Sequence, residues 1–170
     1  MKLRVPKYKQ GKDDNACGPT CIRMVMDYYL KEKRQRLSKG NRESILEETM
    51  GGDNYREAGT RRKELKAVLR RRRFICKELL GSRKETKLAS LRLALDARKL
   101  VILGCIAKFK YHRGRDRHYI VLTGMDKSHI YVNDPYPGKP AKIEIENFLR
   151  NGQPTSWGNA RWGVVSFPVK

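Results

Sequence analysis

Cys17, His118 and Asp134 are the three residue types that thiol-based acyl transfer requires: a sulfur nucleophile, an imidazole that takes and returns a proton, and a carboxylate that orients the imidazole. A thiol attacks as its thiolate, so the position of Cys17 matters. It stands in Asn15-Ala-Cys-Gly-Pro-Thr, at the start of an apolar stretch with helical spacing. At a helix N-terminus the dipole and the free N–H groups favour negative charge and lower a thiol's pKa from about 8.5. Taken alone, Cys17 could equally pack in a core, as could Cys21 one turn later.

The histidine and the carboxylate lie in a candidate hairpin. His118-Tyr-Ile-Val-Leu-Thr-Gly124 runs into Met125-Asp126-Lys127, and the chain returns as Ser128-His-Ile-Tyr-Val-Asn-Asp134. With Gly124 paired to Ser128, His118 falls directly opposite Asp134, on one face, with Cβ atoms roughly 4.5–5.5 Å apart. A carboxylate on one ring nitrogen would fix the tautomer and leave the other nitrogen to a nucleophile. The plainer alternative is an exposed strand-end histidine and a turn-forming Asp-Pro.

The elements that must hold these residues follow from periodicity. Cys17 to Leu30 carries an apolar face wide enough for a core helix, and Pro19 suits its first turn, where a missing N–H costs nothing. Lys31 to Arg42 reads as a basic turn-like stretch and Glu43 to Met50 as a short helix ending at Gly51-Gly52. Thr60 to Arg73 reads as a very basic helix with Leu65, Val68 and Leu69 as its apolar stripe. Phe74 to Leu79 reads as a strand, Lys87 to Lys99 as a helix, and Leu100 to Ala107 as a buried strand. His118 to Gly124, Ile130 to Asn133, Ala141 to Ile145 and Gly163 to Phe167 alternate as strands between Gly, Pro, Asn and Asp. A helical half followed by a strand meander predicts an α+β fold, with antiparallel sheet against the Cys17 helix. The 170 residues, 39% of them hydrophobic, suit one domain, 1–170, with 31–99 as its basic helical middle.

Four cysteines are too few for a disulfide scaffold, so all four are expected as free thiols, with Cys76 and Cys105 in the core. No run of about 18 apolar residues and no apolar signal core occurs, which predicts a soluble, cytoplasmic chain. No histidine, cysteine or carboxylate set has a metal-ligand spacing, and no cofactor is expected.

The residues also resemble a family. Gln10, then Asn-Ala-Cys17-Gly-Pro-Thr-Cys-Ile-Arg-Met running into Tyr28-Tyr29, is similar to the nucleophile segment of the bacteriocin-processing, double-glycine-leader cysteine peptidases and their stand-alone relatives. His118-Tyr-Ile-Val-Leu-Thr-Gly and Ile130-Tyr-Val-Asn-Asp134-Pro135 resemble that family's histidine and aspartate segments, in the same chain order. The resemblance spans roughly Val5 to Leu30 and Val101 to Phe167. It implies a papain-like fold and a peptide or protein substrate. It also implies Cys17 as nucleophile, His118 as base, Asp134 as orienting residue, and Gln10 as the side-chain donor of an oxyanion hole completed by the Cys17 N–H. Such a donor is worth roughly 10²–10³ in rate. Gln10 departs from the papain pattern by lying one residue further from its cysteine.

The charge raises a second class of function. An excess of 39 Lys and Arg over 18 Asp and Glu gives +21, more than balanced ion-pair networks account for. A polyanionic partner, nucleic acid or acidic peptide, would fit Arg61-Arg62-Lys63, Arg70 to Arg73 and Lys108 to Arg117. On this reading the chain would be a nucleic-acid-binding protein or a nuclease toxin on a papain-like scaffold, although it has no helix-turn-helix or RNP motif. A binding module on a degenerate peptidase scaffold is a third possibility. His112 and His129, in a basic loop and at a turn, are expected to have no catalytic role.

Overall fold

Six segments between Phe74 and Pro168 build one antiparallel sheet. The structure is a computed structural model that describes residues 2–11, 15–32, 38–50, 59–79, 84–107, 116–151 and 163–169. Among these, the elements in chain order are α1 (Cys17–Glu32), α2 (Lys39–Met50), α3 (Arg62–Arg71), β1 (Phe74–Leu79), α4 (Lys84–Asp96), β2 (Leu100–Ala107), β3 (Asp116–Met125), β4 (His129–Asp134), β5 (Lys139–Glu144), α5 (Ile145–Asn151) and β6 (Gly163–Pro168). The strands form a six-stranded sheet in the order β1-β6-β2-β3-β4-β5. The fold is α+β, as the residue pattern predicts.

Helix α1 lies against the centre of this sheet. Cys21, Ile22, Met24 and Val25 are fully or almost fully buried, as are Val101, Ile102, Ile120 and Leu122 from β2 and β3. Each large apolar side chain so covered contributes roughly 1.5–3 kcal/mol. Polar bonds fix the helix's far end: the Tyr29 hydroxyl donates to the Ser166 carbonyl at 2.9 Å and accepts the Leu100 N–H at 3.0 Å. The predicted stripe of α3, Leu65, Val68 and Leu69, is fully buried.

Several boundaries and one pairing differ from the sequence reading. Helix α2 begins at Lys39, inside the stretch read as turn-like. Ser38 stands just before it, where serine favours a helix start, and Lys39 pairs with Glu43 one turn on. Helix α4 runs from Lys84 to Asp96, three residues earlier at each end than read. Ile145, read as the end of a strand, opens the short helix α5.

The β3–β4 register also differs, and the reason bears on the site. Gly124 pairs with Tyr131 and Met125 with Ile130, not Gly124 with Ser128. Asp126 widens the turn, since its Oδ1 accepts the N–H groups of Ser128 and His129 at 2.9 and 2.7 Å. Continued along the strand, that register would point Asp134 away from the face of His118. A bulge at Thr123 intervenes, after which Leu122 pairs with Val132 and Val121 with Asn133. One extra residue reverses the side-chain alternation. Asp134 therefore falls opposite Ile120, diagonal to His118 and on the same face, rather than directly opposite it.

Candidate active site

Cys17 is the first residue of α1 and is 5% exposed. The helix's opening hydrogen bond runs from the Thr20 N–H to the Ala16 carbonyl at 3.1 Å. The Cys17 N–H therefore has no acceptor within the helix, as is general for a first turn. The helix start is pressed against residues 59 and 60: a Cβ on Gly18 would lie 2.5 Å from Thr60 Oγ1. Thr60 in turn accepts the Tyr119 hydroxyl on its carbonyl at 3.0 Å.

His118 and Asp134 meet as the sequence reading expects, through the diagonal geometry set by the bulge. His118 Nε2 lies 2.7 Å from Asp134 Oδ1, and the two residues are 4% and 1% exposed. The same oxygen accepts the Tyr136 N–H at 2.9 Å, so the turn after β4 fixes the carboxylate. The His118 side chain also hydrogen-bonds the Cys17 side chain. Burial pulls the imidazole pKa down, but the bonds to Asp134 and Cys17 outweigh it and lift the value from 6.5 to about 9.

The other three thiols are held above their ordinary pKa range, by burial above all. Cys105 pairs across the strands with His118, and its thiol donates to the His118 carbonyl at 3.6 Å. Burial, then the electrostatic influence of Asp134 and of the Cys17 side chain, pushes the Cys105 thiol well above its usual range. Burial, then the electrostatic influence of the neighbouring Cys17 side chain, does the same to Cys21. Half-buried Cys76 is also raised, by burial above all. All four cysteines are free thiols.

Gln10 reaches this region on an N-terminal strap that belongs to no helix or named strand. Leu3 N–H donates to the Thr123 carbonyl, at the bulge, at 2.6 Å, and Gln10 N–H donates to the Pro135 carbonyl, next to Asp134, at 2.9 Å. Between them the Asn133 side-chain amide donates to the carbonyls of Val5 and Pro6, both at 3.1 Å. The Tyr8 hydroxyl donates to Asp27 on α1 at 2.6 Å, beneath the Arg23 guanidinium. Gln10 is 8% exposed. Sequence reasoning does not single out Asn133 or Thr60; for Asn133 the available signal is an amide beside a candidate carboxylate.

The remaining candidates lie elsewhere. His129 Nδ1 contacts Ser128 Oγ at 2.8 Å, at the turn end of the hairpin. His112 and residues 108–115 of the basic loop lie outside the described residues. In the run Arg70 to Arg73, Arg71 and Arg72 bind Glu48, whose carboxyl is held down at about 2, by the Arg72 bond first. Among the described residues no group of three or more His, Cys, Asp or Glu could hold a metal, and no helix is long and apolar enough to cross a membrane.

Comparison with known proteins agrees with this architecture. No curated protein matches the sequence. Among solved structures, a double glycine motif protease from an AMS/PCAT transporter, in complex with the leader peptide, is 18% identical with a TM-score of 0.66, over 99% of this chain and 94% of that one. The peptidase domain of Streptococcus ComA, a bifunctional ABC transporter involved in quorum sensing, is 17% identical with a TM-score of 0.62, over 96% and 98%. A putative C39-like peptidase from Bacillus anthracis is 15% identical with a TM-score of 0.71, over 100% and 99%. At these identities the likeness is one of fold. The model of the Peptidase_C39 like family matches residues 2–161. As the three residue segments implied, the chain belongs to the Peptidase_C39 like family.

Proposed function

We propose that the chain is a cysteine peptidase in which Cys17 attacks a peptide carbonyl, His118 moves the proton and Asp134 orients His118, all within one papain-like domain. The observation that carries this is the His118 ring, bonded through Nε2 to a buried carboxylate and also hydrogen-bonded to a side chain at the start of α1. With Nε2 engaged, Nδ1 is left for the thiol. An imidazole lifted to about 9 is protonated at neutral pH and stabilises a thiolate beside it.

The steps follow from these groups. The thiolate adds to the carbonyl carbon, and the developing oxyanion takes N–H donors from the Cys17 backbone and the Gln10 side chain. As the C–N bond breaks, the His118 imidazolium gives its proton to the leaving amine, which leaves a thioester on Cys17. The now neutral imidazole takes a proton from water, hydroxide adds to the thioester, and the acid and the thiolate separate. The protease crystallised with its leader peptide, a protein of like fold, supports a peptide as substrate. The nucleic-acid alternative rests on charge alone; a role for the basic surface in drawing in an acidic peptide is compatible with the peptidase reading.

The test is trapping. With an activated peptide ester at neutral pH, intact-mass measurement should find one acyl group, on Cys17, that hydrolyses over time. Cys17→Ala should form none. An adduct on another residue, or none on the native chain, would sink the reading.

A further inference from the structure

We infer that Asn133 is a positioning residue that holds the N-terminal strap so that the Gln10 amide faces the oxyanion. The inference rests on the proposed role of Gln10 and explains how this chain could place it. Gln10 lies outside α1 and outside the sheet, so neither a helix nor a strand ladder holds its backbone. The strap is instead tied to the sheet at several points. It begins at the Thr123 bulge and ends at Pro135. The Asn133 amide, 4% exposed, spans the gap with two bonds to successive carbonyls. Asn133 adjoins Asp134 in β4, so one strand carries both the carboxylate that sets His118 and the amide that sets the strap.

A second contact limits the strap from the other side. Gly138, in the turn after β4, has a φ of +67°, and a Cβ there would lie 2.7 Å from Lys9 Cβ and 3.0 Å from Lys9 Cα. The turn thus touches the backbone of the residue before Gln10, in a conformation that favours glycine. Asn133 pulls on Val5 and Pro6, and Gly138 allows close seating at Lys9. Displacement of about 1 Å in a catalytic group is enough to cost up to about 10²-fold in rate.

Two probes separate positioning from general damage. A peptide aldehyde adds to the Cys17 thiolate: the C–S bond forms and the carbonyl π pair moves to oxygen, which becomes an oxyanion in the place of the reaction's own while His118 keeps its proton. Its affinity therefore reads the oxyanion donors. Iodoacetamide alkylates Cys17 by displacing iodide and forms no oxyanion, so its rate reads the thiolate alone. Asn133→Ala should weaken aldehyde binding by about 10- to 10²-fold and leave the alkylation rate and its pH profile unchanged. Combined with Gln10→Ala, it should add little further loss, because both act on one donor. Gly138→Ala, which keeps the Asn133 bonds, should show the same signature and carries the test if Asn133→Ala does not fold. Equal loss with both probes, or full additivity with Gln10→Ala, would overturn the inference. So would a weakened Gln10→Ala beside an unaffected Asn133→Ala, which leaves the oxyanion assignment standing. If Gln10→Ala itself left aldehyde affinity unchanged, that assignment would fall and the inference with it.

Discussion

Asp134 Oδ1 lies 2.7 Å from His118 Nε2 and, at the same time, 2.9 Å from the Tyr136 amide nitrogen. One oxygen thus joins the imidazole to the turn that follows β4, and the turn cannot shift without moving the ring. In the proposed mechanism this bond is also the largest upward push on the His118 pKa, opposing burial.

Activity should therefore fall as pH rises through about 9, where the buried imidazolium loses its proton. In Asp134→Asn the main support for that proton is gone while burial still opposes it, so the alkaline limb should move down towards 6.5 or below. Turnover at neutral pH should drop by about 10²–10⁴, the usual range for general acid–base catalysis. The measurement is kcat/KM for a peptide ester from pH 5 to 11. An alkaline limb that stayed near 9 in Asp134→Asn would show that the carboxylate does not hold the proton.

Stability should carry the same signature. Folding raises the His118 pKa above its unfolded 6.5, so the folded state binds the proton more tightly. The resulting stabilisation is fully present below about 6.5 and is lost as pH rises through about 9. A tenfold gain in proton affinity is worth roughly 1.4 kcal/mol, so the difference should be a few kcal/mol. Urea midpoints compared between native protein and His118→Gln should converge as pH rises from 6 to 10. A gap that stayed constant with pH would refute the linkage.

Thiol labelling should be selective. Burial raises the pKa of Cys21, Cys76 and Cys105, and a thiol held protonated alkylates slowly. Peptide mapping after brief exposure to iodoacetamide at neutral pH should find the label on Cys17. Cys21→Ala and Cys105→Ala should still be labelled there, and His118→Ala should be labelled slowly. Fast labelling that survives His118→Ala would exclude a thiolate–imidazolium pair.

What is legible in the sequence has a local signal. The start of α1 at Cys17, the bounds of β1 and β2, and the buried stripe of α3 follow from residue type and periodicity. The meeting of His118 and Asp134 is also legible, but for an incomplete reason. A tight loop is the simplest closure of the hairpin, whereas Asp126 builds a wider turn and the Thr123 bulge restores the shared face. Two shifts of register cancel in side-chain direction, and nothing in the threonine's identity marks a bulge. The strap is illegible for a different cause. Its bonds to the sheet and to the turn after β4 join residues more than a hundred positions apart, as between Asn133 and Val5, and no local pattern encodes such a pairing.

The seat of the proposed nucleophile should tolerate no added methyl group. In a helix, glycine is ordinarily replaced by alanine with a gain of up to about 1 kcal/mol, and propensity alone would favour Gly18→Ala. Here the added Cβ would lie 2.5 Å from Thr60 Oγ1, 2.6 Å from Thr60 Cβ and 3.0 Å from Thr60 Cγ2. Thr60 is 3% exposed, and its carbonyl holds the Tyr119 hydroxyl, so it has little room to retreat. Overpacking of this kind costs about 1–3 kcal/mol, which exceeds the propensity gain. Gly18→Ala should therefore lower the urea midpoint, and it should slow acylation of Cys17, since relief of the clash tilts the first turn of α1. Thr60→Ser would not relieve it, because Oγ1 and Cβ remain. Thr60→Gly would, and the double variant Gly18→Ala/Thr60→Gly should recover part of the acylation rate that Gly18→Ala loses. If Gly18→Ala instead stabilised the chain, the contact between α1 and Thr60 would be looser than described, and the narrow seat for Cys17 would not exist.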